Sequence, residues 1–332
     1  MMMRYACLVD ATPKLYWEAL VFRRAITEVA GVPSEHITIA ATTRVPSEVS
    51  RRLAGPCASR VVAVAVAVAD PCNKVHQLAA PWEDDVAFLD VDMIVLSPLD
   101  PPHGDTVEGV PVFGPSPSEA VLRPLYARRA CTAARPADWV ARTALDGTPF
   151  VTHRNHLNGG LYVVPQPLIA PFGSAWADEL VRVGAVDGVA PYADQVAAGL
   201  ALAGLGLTAR HREAGDNCPP WLARRRPARA IHDFAKFSPT DRDAAGHFST
   251  SADVSALPER SALASIIDAA NADADGATFA AYRRFRYALY ADDFALAARE
   301  VERTADTRHA GEAFIEDMRT HLVAYRRMRA GG

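Results

Sequence analysis

Two aspartates stand one residue apart in an otherwise apolar run. Asp90 follows Val-Ala-Phe-Leu, and Asp92 precedes Met-Ile-Val-Leu. Carboxylates are rarely left in such a run without a partner, because burying an unpaired charge is costly. The usual partner is a hard divalent cation, which takes oxygen ligands and commonly carries the phosphates of a substrate. The pair therefore predicts a site for a metal and a nucleotide.

The composition is that of a globular protein and disfavours two other classes. The chain has 332 residues, of which 50% are hydrophobic and 22% charged, and its formal net charge is −4. Since its arginines are mostly scattered, we do not expect a nucleic-acid binder. The longest apolar run, residues 61–69, is far too short to span a membrane, so we expect no membrane span.

The cysteines and the N-terminal residues indicate a cytoplasmic protein. The five cysteines show neither disulfide nor zinc spacing, and their number is odd. The residues from Met1 to Arg4 lead straight into an apolar strand that is too short for a signal peptide. We therefore expect a soluble, non-secreted, cytoplasmic protein with reduced thiols.

The elements around the aspartates predict a doubly wound, mostly parallel α/β sheet. Strands alternate with helices: strands at 4–9, 36–41, 60–69 and 86–89, and helices at 13–30, 46–53 and 72–80. In such sheets ligands bind at the carboxyl ends of strands, which is where Asp90 and Asp92 lie. The third strand has no polar face, so we expect it to be covered on both sides.

The second half of the chain changes character. A brief strand at 110–113 is followed by short helices over 119–145, broken by Pro124 and Pro136. Next come a buried strand at 157–164, helices at 172–183 and 192–202, and a strand at 205–210. Beyond about residue 251 we predict helices alone. We expect a catalytic domain over residues 1–250 and a helical C-terminal region over 251–332.

Four patterns, of which the aspartate pair is one, occur in order over the first 240 residues. They are Asn73-Lys74, Asp90-Val91-Asp92, Leu157-Asn158-Gly159-Gly160 with Asp194-Gln195 beyond it, and Ile231-His232-Asp233-Phe234-Ala235-Lys236. Together they resemble the retaining glycosyltransferases of GT-A fold, in the group of glycogenin and the bacterial lipopolysaccharide galactosyltransferases. A lone D-x-D is a weak signal, but four motifs in order are fairly specific. The residues Asp233 to Ala235 stand where that family usually has a glycine.

The resemblance implies a metal site and its cofactor. Asp90, Asp92 and His232 would be the ligands of Mn²⁺ or Mg²⁺, held against a nucleotide diphosphate. A cation in that place stabilises the leaving group as its negative charge grows. Without the resemblance, His232 would be interpreted as a core histidine and Asp92 as a surface or capping residue.

The resemblance also implies donor-binding residues. Tyr16 would stack on the base, Lys74 and Lys236 would contact phosphate or sugar, and His156 would contact the donor sugar or the acceptor. Taken alone, Tyr16 would be a core aromatic and Lys236 a solvated lysine. The donor-binding residues implied in this way are Ala11, Thr12, Tyr16, Lys74, Asp90, Val91, Asp92, His156, Gly159 and Lys236.

The catalytic residues implied by the resemblance are Asn158, Asp194 and Gln195. Asp194 would hold sugar hydroxyls, and Gln195 would lie near the reacting face. Because an amide is a poor nucleophile, we do not expect a covalent intermediate through Gln195. The resemblance implies transfer with retention through an oxocarbenium-like state that a nearby amide or carboxylate stabilises.

These motifs predict a metal-dependent transferase that uses a nucleotide-diphosphate sugar, UDP-linked rather than GDP-linked, with a glycan or small molecule as acceptor. One rival class is a haloacid-dehalogenase-like phosphatase, whose D-x-D ends its first strand, whereas three predicted strands come before Asp90. A sugar nucleotidylyltransferase would have a glycine-rich loop after its first strand. A non-catalytic nucleotide-sugar binder and a homo-oligomer formed through the C-terminal helices stay open.

Overall fold

The computed structural model describes most of the chain. The described residues are 3–55, 60–65, 71–129, 136–144, 147–184, 186, 188–189, 192–223, 226–232, 257, 260–272, 278–279, 281–282, 284–285, 288–289, 292–306 and 312–330. Within these ranges, none of the helices has both the length and the apolar character needed to cross a bilayer.

Eleven strands are present in the described part of the chain. They are β1 (Arg4–Val9), β2 (Ile37–Thr42), β3 (Arg60–Val64), β4 (Val86–Leu89), β5 (Ile94–Val95), β6 (Glu108–Pro111), β7 (Trp139–Thr143), β8 (Pro149–His153), β9 (Leu157–Val164), β10 (Arg210–His211) and β11 (Ala230–Ile231). Seven form one sheet in the order β10-β6-β9-β4-β1-β2-β3. β9 runs antiparallel to both of its neighbours, and the other pairings in this sheet are parallel.

Helices from the first 204 residues cover both faces of this sheet. The α-helices in the described part of the chain are α1 (Pro13–Arg24), α2 (Ser47–Ala54), α3 (Glu119–Arg129), α4 (Gln166–Val183), α5 (Ala193–Gly204), α6 (Pro220–Ala223), α7 (Arg260–Ala272), α8 (Phe294–Ala305) and α9 (Glu312–Ala330). One buried layer joins α1 and α2 to the sheet, and a second joins α3, α4 and α5 to the other face. The elements described beyond residue 257 are all helices, as predicted.

The central strands bring the aspartate pair to one edge of the sheet. β4 lies between β1 and β9, and it ends at Leu89, so Asp90 and Asp92 leave the sheet at its carboxyl edge. The Asp90 backbone N–H donates to the Gly160 carbonyl at 2.9 Å. Since β9 is antiparallel, its first residues rather than its last meet the aspartates at this edge.

The pairing of β5 with β11 brings His232 close to the aspartates. β5 begins two residues after Asp92 and runs antiparallel to β11, with Ile94 opposite Ile231. If this register is continued by one residue, His232 comes alongside Met93, the residue after Asp92. Two motifs that are distant in sequence are therefore brought together by backbone pairing.

Helix α1 joins the sheet to the C-terminal helices. Trp17, Val21 and Ala25 are buried in a cluster with Leu263, Ile266 and Ile267 of α7. The Trp17 indole donates from Nε1 to Asn271 Oδ1 at 2.9 Å, and its ring centroid lies 4.8 Å from that of Phe279. The opposite side of the same helix faces the sheet.

The expectation that the third strand is covered on both sides is wrong. β3 is the outermost strand of the sheet, and Arg60 and Ala63 are exposed along it. A run of small apolar residues is compatible with an edge strand, because valine and alanine expose little surface there. The predicted part of this strand at 66–69 lies outside the described residues.

The predicted helices over 119–145 are partly wrong. Pro124 lies inside α3, which runs to Arg129, and residues 139–143 form β7. β7 pairs with β8 as an antiparallel hairpin that the sequence reading missed. Similarly, α4 begins at Gln166 and runs through Pro171, six residues before the predicted start. A proline near the start of a helix removes a single backbone hydrogen bond, which tertiary packing can outweigh.

Replacing Trp17 tests how strongly α1 and α7 depend on each other. We expect Trp17→Ala to lower the free energy of unfolding by about 3–5 kcal/mol, because it removes a fully buried ring. Trp17→Phe keeps an aromatic ring beside Phe279 and should cost clearly less. Urea unfolding followed by far-UV circular dichroism measures both, and equal costs for the two variants would contradict this packing.

Candidate functional site

A cavity of about 480 Å³ opens at the carboxyl edge of β1 and β4. Most of the predicted site residues line it. These are Lys74, Asp90, Val91, Asp92, Asn158, Gly159, Asp194, Gln195 and His232. They come from five separate stretches of the chain, so the fold gathers in one place what the sequence keeps far apart.

Asp90, Asp92 and His232 converge on one wall of this cavity. His232 Nε2 lies 3.3 Å from Asp90 Oδ2 and 3.6 Å from Asp92 Oδ1. Each residue offers one ligand atom, and these atoms lie within 4.8 Å of one another. Two carboxylates and one imidazole form a donor set that divalent cations accept. The residues present therefore fit a divalent cation.

Lys74 links the two acidic sides of the cavity. Its ammonium lies 2.6 Å from Asp194 Oδ2, 3.0 Å from Asp90 Oδ1 and 3.1 Å from the Gly159 carbonyl oxygen. An ammonium group has three protons to donate, so these three acceptors use them all. In this arrangement Lys74 fixes the positions of the two carboxylates and has no proton left for a ligand.

Lys74 and Asp90 each stabilise the charged form of the other. Burial alone would lower the pKa of Lys74, but the carboxylates of Asp194 and Asp90 hold it well above its ordinary value. Burial alone would raise the pKa of Asp90, but Lys74 and His232 hold it well below its ordinary value. Asp90 is therefore ionised at neutral pH, as a cation ligand must be.

The two glycines of β9 leave room that no other residue would leave. A Cβ at Gly159 would lie 2.7 Å from Asp194 Oδ2 and 2.9 Å from Lys74 Nζ. A Cβ at Gly160 would lie 2.5 Å from both Nδ1 and Cε1 of His232. Side chains of the site itself therefore occupy the space that a Cβ at either glycine would need.

Asp194 and Gln195 are placed by the packing of α4 and α5. Asp194 lies in the first turn of α5, and its carbonyl accepts the indole N–H of Trp176 at 2.9 Å. Trp176 lies on α4 and is buried between Tyr162 and Phe172. The start of α5 is thereby fixed at the cavity.

A chain of ion pairs, buried at Glu108, Arg212 and Asp216, supports the segments around His232, and the sequence analysis did not predict it. Arg212 bonds Glu108 at 2.8 Å and Asp216 at 2.7 Å, and Arg229 bonds Asp216 at 2.6 Å and Asp100 at 2.6 Å. The chain connects the loop after β5, the turn at 214–217 and the residue before β11. Because its members are far apart in sequence, no local pattern could have indicated it.

Five more residues line the cavity and are also outside the sequence prediction. They are Leu8, Asp10, Lys14, Leu15 and Glu18. Asp10 ends β1 at the same edge as Asp90, a signal that could have identified it. Its carboxylate accepts from Thr42 Oγ1 at 2.7 Å, from the Ala11 N–H at 2.8 Å and from Asn73 Nδ2 at 3.3 Å. Glu18 is fully buried, with Lys14 at 2.8 Å.

Four predicted donor-binding residues do not line the cavity. Tyr16 is only 7% exposed and packs in the core between α1 and the sheet, while the neighbouring Leu15 faces the cavity. Thr12 accepts the Leu15 N–H at 3.3 Å and caps α1, with Ala11 just before it. His156 is buried and does not line the cavity. Lys236 and residues 233–235 lie outside the described residues.

His156 and His153 form a buried polar group beneath the β7–β8 hairpin. His156 Nδ1 is 2.9 Å from Thr152 Oγ1, and His153 stacks on Tyr126 with ring centroids 3.8 Å apart. Burial lowers the pKa of each imidazole to about 4. Both rings are therefore neutral at physiological pH and serve the packing of this region.

The sheet order and the cavity at its carboxyl edge define a GT-A fold, as the motifs predict. No protein-family model matches the chain, and no curated protein does so.

Solved structures of glycosyltransferases do match. An active-site mutant of LgtC superimposes with a TM-score of 0.51 at 11% identity, over 80% of this chain and 96% of that chain. The galactosyltransferase LgtC in complex with donor and acceptor sugar analogues gives 0.46 at 12% identity, over 80% and 96%. The glycosyltransferase GlyE of Streptococcus pneumoniae TIGR4 gives 0.44 at 11% identity, over 73% of this chain and 57% of that one.

Adding one methyl group at Gly160 tests whether His232 must keep its place. We expect Gly160→Ala to weaken Mn²⁺ binding at least about tenfold, the range found when the support of a metal ligand is lost. Titration of Mn²⁺ followed by electron paramagnetic resonance measures this. Gly114→Ala is the matched control, because a Cβ there meets nothing within 4 Å. Equal affinities in the two variants would contradict the arrangement.

The buried histidines predict how stability depends on pH. In the unfolded chain these two histidines bind protons near pH 6.5, whereas in the native protein their pKa is about 4. Their contribution to the free energy of unfolding is therefore greatest above pH 6.5 and is lost as the pH falls towards 4. Each histidine contributes a slope of at most about 1.4 kcal/mol per pH unit. Urea unfolding of His156→Asn between pH 7.5 and 4.5 should give a shallower fall than the unmodified chain. An unchanged fall would contradict this assignment.

Proposed function

We propose that this protein is a metal-dependent glycosyltransferase that moves a sugar from a nucleotide-diphosphate donor, UDP-linked, to a glycan or small-molecule acceptor with retention. The observation that carries the proposal is the cavity itself. It presents Asp90, Asp92 and His232 within 4.8 Å of one another, and Asn158, Asp194 and Gln195 line the same cavity. A cation site beside amide and carboxylate groups suits a donor with a diphosphate at one end and a sugar at the other.

The metal ligands hold the leaving-group end of the donor in this proposal. A divalent cation on Asp90, Asp92 and His232 would neutralise the negative charge that a nucleotide diphosphate gains as the glycosidic bond breaks. The protein's part is to keep the two carboxylates ionised and the imidazole fixed. The low pKa of Asp90 and the close fit of His232 against Gly160 support this role.

The sugar end of the donor lies against α5 and β9 in the same proposal. Asp194, held by Lys74 at 2.6 Å and by Trp176, is a rigid acceptor for sugar hydroxyls. Asn158 and Gln195 present amide groups to the cavity. An amide oxygen near the anomeric carbon stabilises an oxocarbenium-like state electrostatically without forming a covalent bond. Retention and the preference for UDP rest on the family resemblance of the motifs.

Formal charges around the cavity explain why a metal would be required. The lining carries five acidic side chains and two lysines: Asp10, Glu18, Asp90, Asp92 and Asp194 against Lys14 and Lys74. A diphosphate is repelled by such a lining, and the repulsion is strong where water is partly excluded. A divalent cation reduces the imbalance at the place where the phosphates must lie. We therefore expect the nucleotide to bind after the metal.

Calorimetry with UDP and GDP, each with and without Mn²⁺, tests the donor site. We expect UDP to bind in the presence of Mn²⁺, at least about tenfold more weakly in its absence, and more tightly than GDP, a difference of about 1.4 kcal/mol per factor of ten. Binding that does not depend on metal, or no binding of either nucleotide, would contradict the proposed site.

Substitution of Asp92 separates the transferase from its rivals. Asp92→Asn should abolish metal-dependent hydrolysis of the donor sugar, because the amide replaces a charged ligand. Asp105→Asn removes a charge from an exposed loop residue and serves as the control. A phosphoenzyme trapped on Asp90 would favour the phosphatase instead. Metal-dependent nucleotide binding without any hydrolysis or transfer would favour a non-catalytic binder.

A further inference from the structure

Asn217 lies between two parts of the candidate site. It is fully buried in the turn at 214–217, and its Nδ2 donates to Asn158 Oδ1 at 2.8 Å. Asn158 Oδ1 also accepts the Gly160 N–H at 3.0 Å. One half of the Asn217 amide therefore supports the start of β9, and this half is satisfied.

The other half of the amide has no such partner. Asn217 Oδ1 is buried and accepts no hydrogen bond from the described part of the chain. A buried amide oxygen left without a donor costs about 1–3 kcal/mol. Such an atom in a native protein calls for an explanation, and a frequent one is a functional role.

The ring of His232 lies beside this amide. A Cβ at Gly160 would be 2.5 Å from His232 Nδ1 and 3.0 Å from Asn217 Nδ2, so both groups lie against the same glycine. The other ring nitrogen, Nε2, faces Asp90 and Asp92. His232 thus presents Nε2 to the cation site, and its Nδ1 borders the same glycine as the Asn217 amide.

We infer that Asn217 is a positioning residue whose Oδ1 accepts the Nδ1–H of His232 when Nε2 binds the cation. This inference rests on the proposed metal site. A histidine that ligates through one ring nitrogen usually donates a hydrogen bond from the other, which selects the tautomer and fixes the ring. Asn217 supplies the acceptor, and through Nδ2 it ties the same ring to Asn158 at the sugar end of the cavity.

The ion-pair chain keeps Asn217 in place for this role. The preceding residue, Asp216, is held by Arg212 at 2.7 Å and by Arg229 at 2.6 Å and 2.9 Å. The following residue, Cys218, exchanges backbone hydrogen bonds with Ala230 and His232, each at 2.9 Å. The amide of Asn217 is therefore fixed relative to His232 from both sides along the chain.

A double-mutant cycle on Asn217 and His232 tests the inference. We expect Asn217→Leu to raise the dissociation constant for Mn²⁺ by about 10–100-fold, the usual cost of losing such a support. In a His232→Ala background the same change should alter it less than about threefold, because the ring on which Asn217 acts is gone. Electron paramagnetic resonance of free Mn²⁺ measures all four proteins without nucleotide or turnover.

Each outcome of the cycle has a separate meaning. Equal losses in both backgrounds would indicate a purely structural role and overturn the inference, as would no loss in either. If the unmodified chain binds no Mn²⁺, the proposed metal site fails first, and the inference fails with it. If the unmodified chain binds Mn²⁺ but the cycle shows no coupling between Asn217 and His232, only the role of Asn217 is overturned.

Two further variants guard against misfolding. Asn271→Leu removes another amide, the acceptor of the Trp17 indole, and should leave the Mn²⁺ dissociation constant unchanged within about twofold. Urea unfolding of every variant shows which ones fold. If Asn217→Leu does not fold, Asn217→Ser replaces it, because its shorter side chain fits the same space and withdraws the amide oxygen from the ring. The same comparison in the two backgrounds then decides.

Discussion

The candidate site depends on the half-buried ammonium group of Lys74. Lys74 bonds Asp90, Asp194 and the Gly159 carbonyl together, and each of these acceptors lies on a different element. Two carboxylates this close would repel each other strongly in a partly buried cavity without that charge. The ammonium offsets this repulsion and holds Asp90 beside the candidate cation site and Asp194 at the start of α5. The rest of the architecture serves to bring these acceptors within reach.

Backbone pairing between strands brings most of these groups together. The antiparallel course of β9 places its glycines, rather than a bulky strand end, against Asp90, and the β5–β11 pair returns His232 to the same place. Both glycines are needed because side chains of the site fill the volume that a Cβ would take. The cavity is therefore shaped by missing side chains as much as by present ones.

The sequence predicted what local patterns encode. The first strands, the D-x-D at the end of β4 and the meeting of the four motifs at one place were predictable from the sequence, since each depends on near neighbours or on a general rule of α/β sheets. Tyr16 could not be distinguished from Leu15, because adjacent helical residues point about 100° apart and the rotation of α1 is set by packing. The ion pairs of Arg212 and Arg229 depend on residues far away in the chain, so no window of sequence contains them.

The chain between the cavity and the start of α5 runs along two long segments, β9 and α4, whose lengths match. β9 carries the chain away from the cavity over eight residues, about 26 Å at the usual rise of a strand. Helix α4 carries it back over 18 residues, about 27 Å at the rise of a helix, so the two lengths match. Adding or deleting one helical turn before Trp176 would shift that residue, whose indole N–H holds the Asp194 carbonyl at 2.9 Å, by about 5.4 Å. The position of Asp194 therefore constrains the number of turns in the first part of α4.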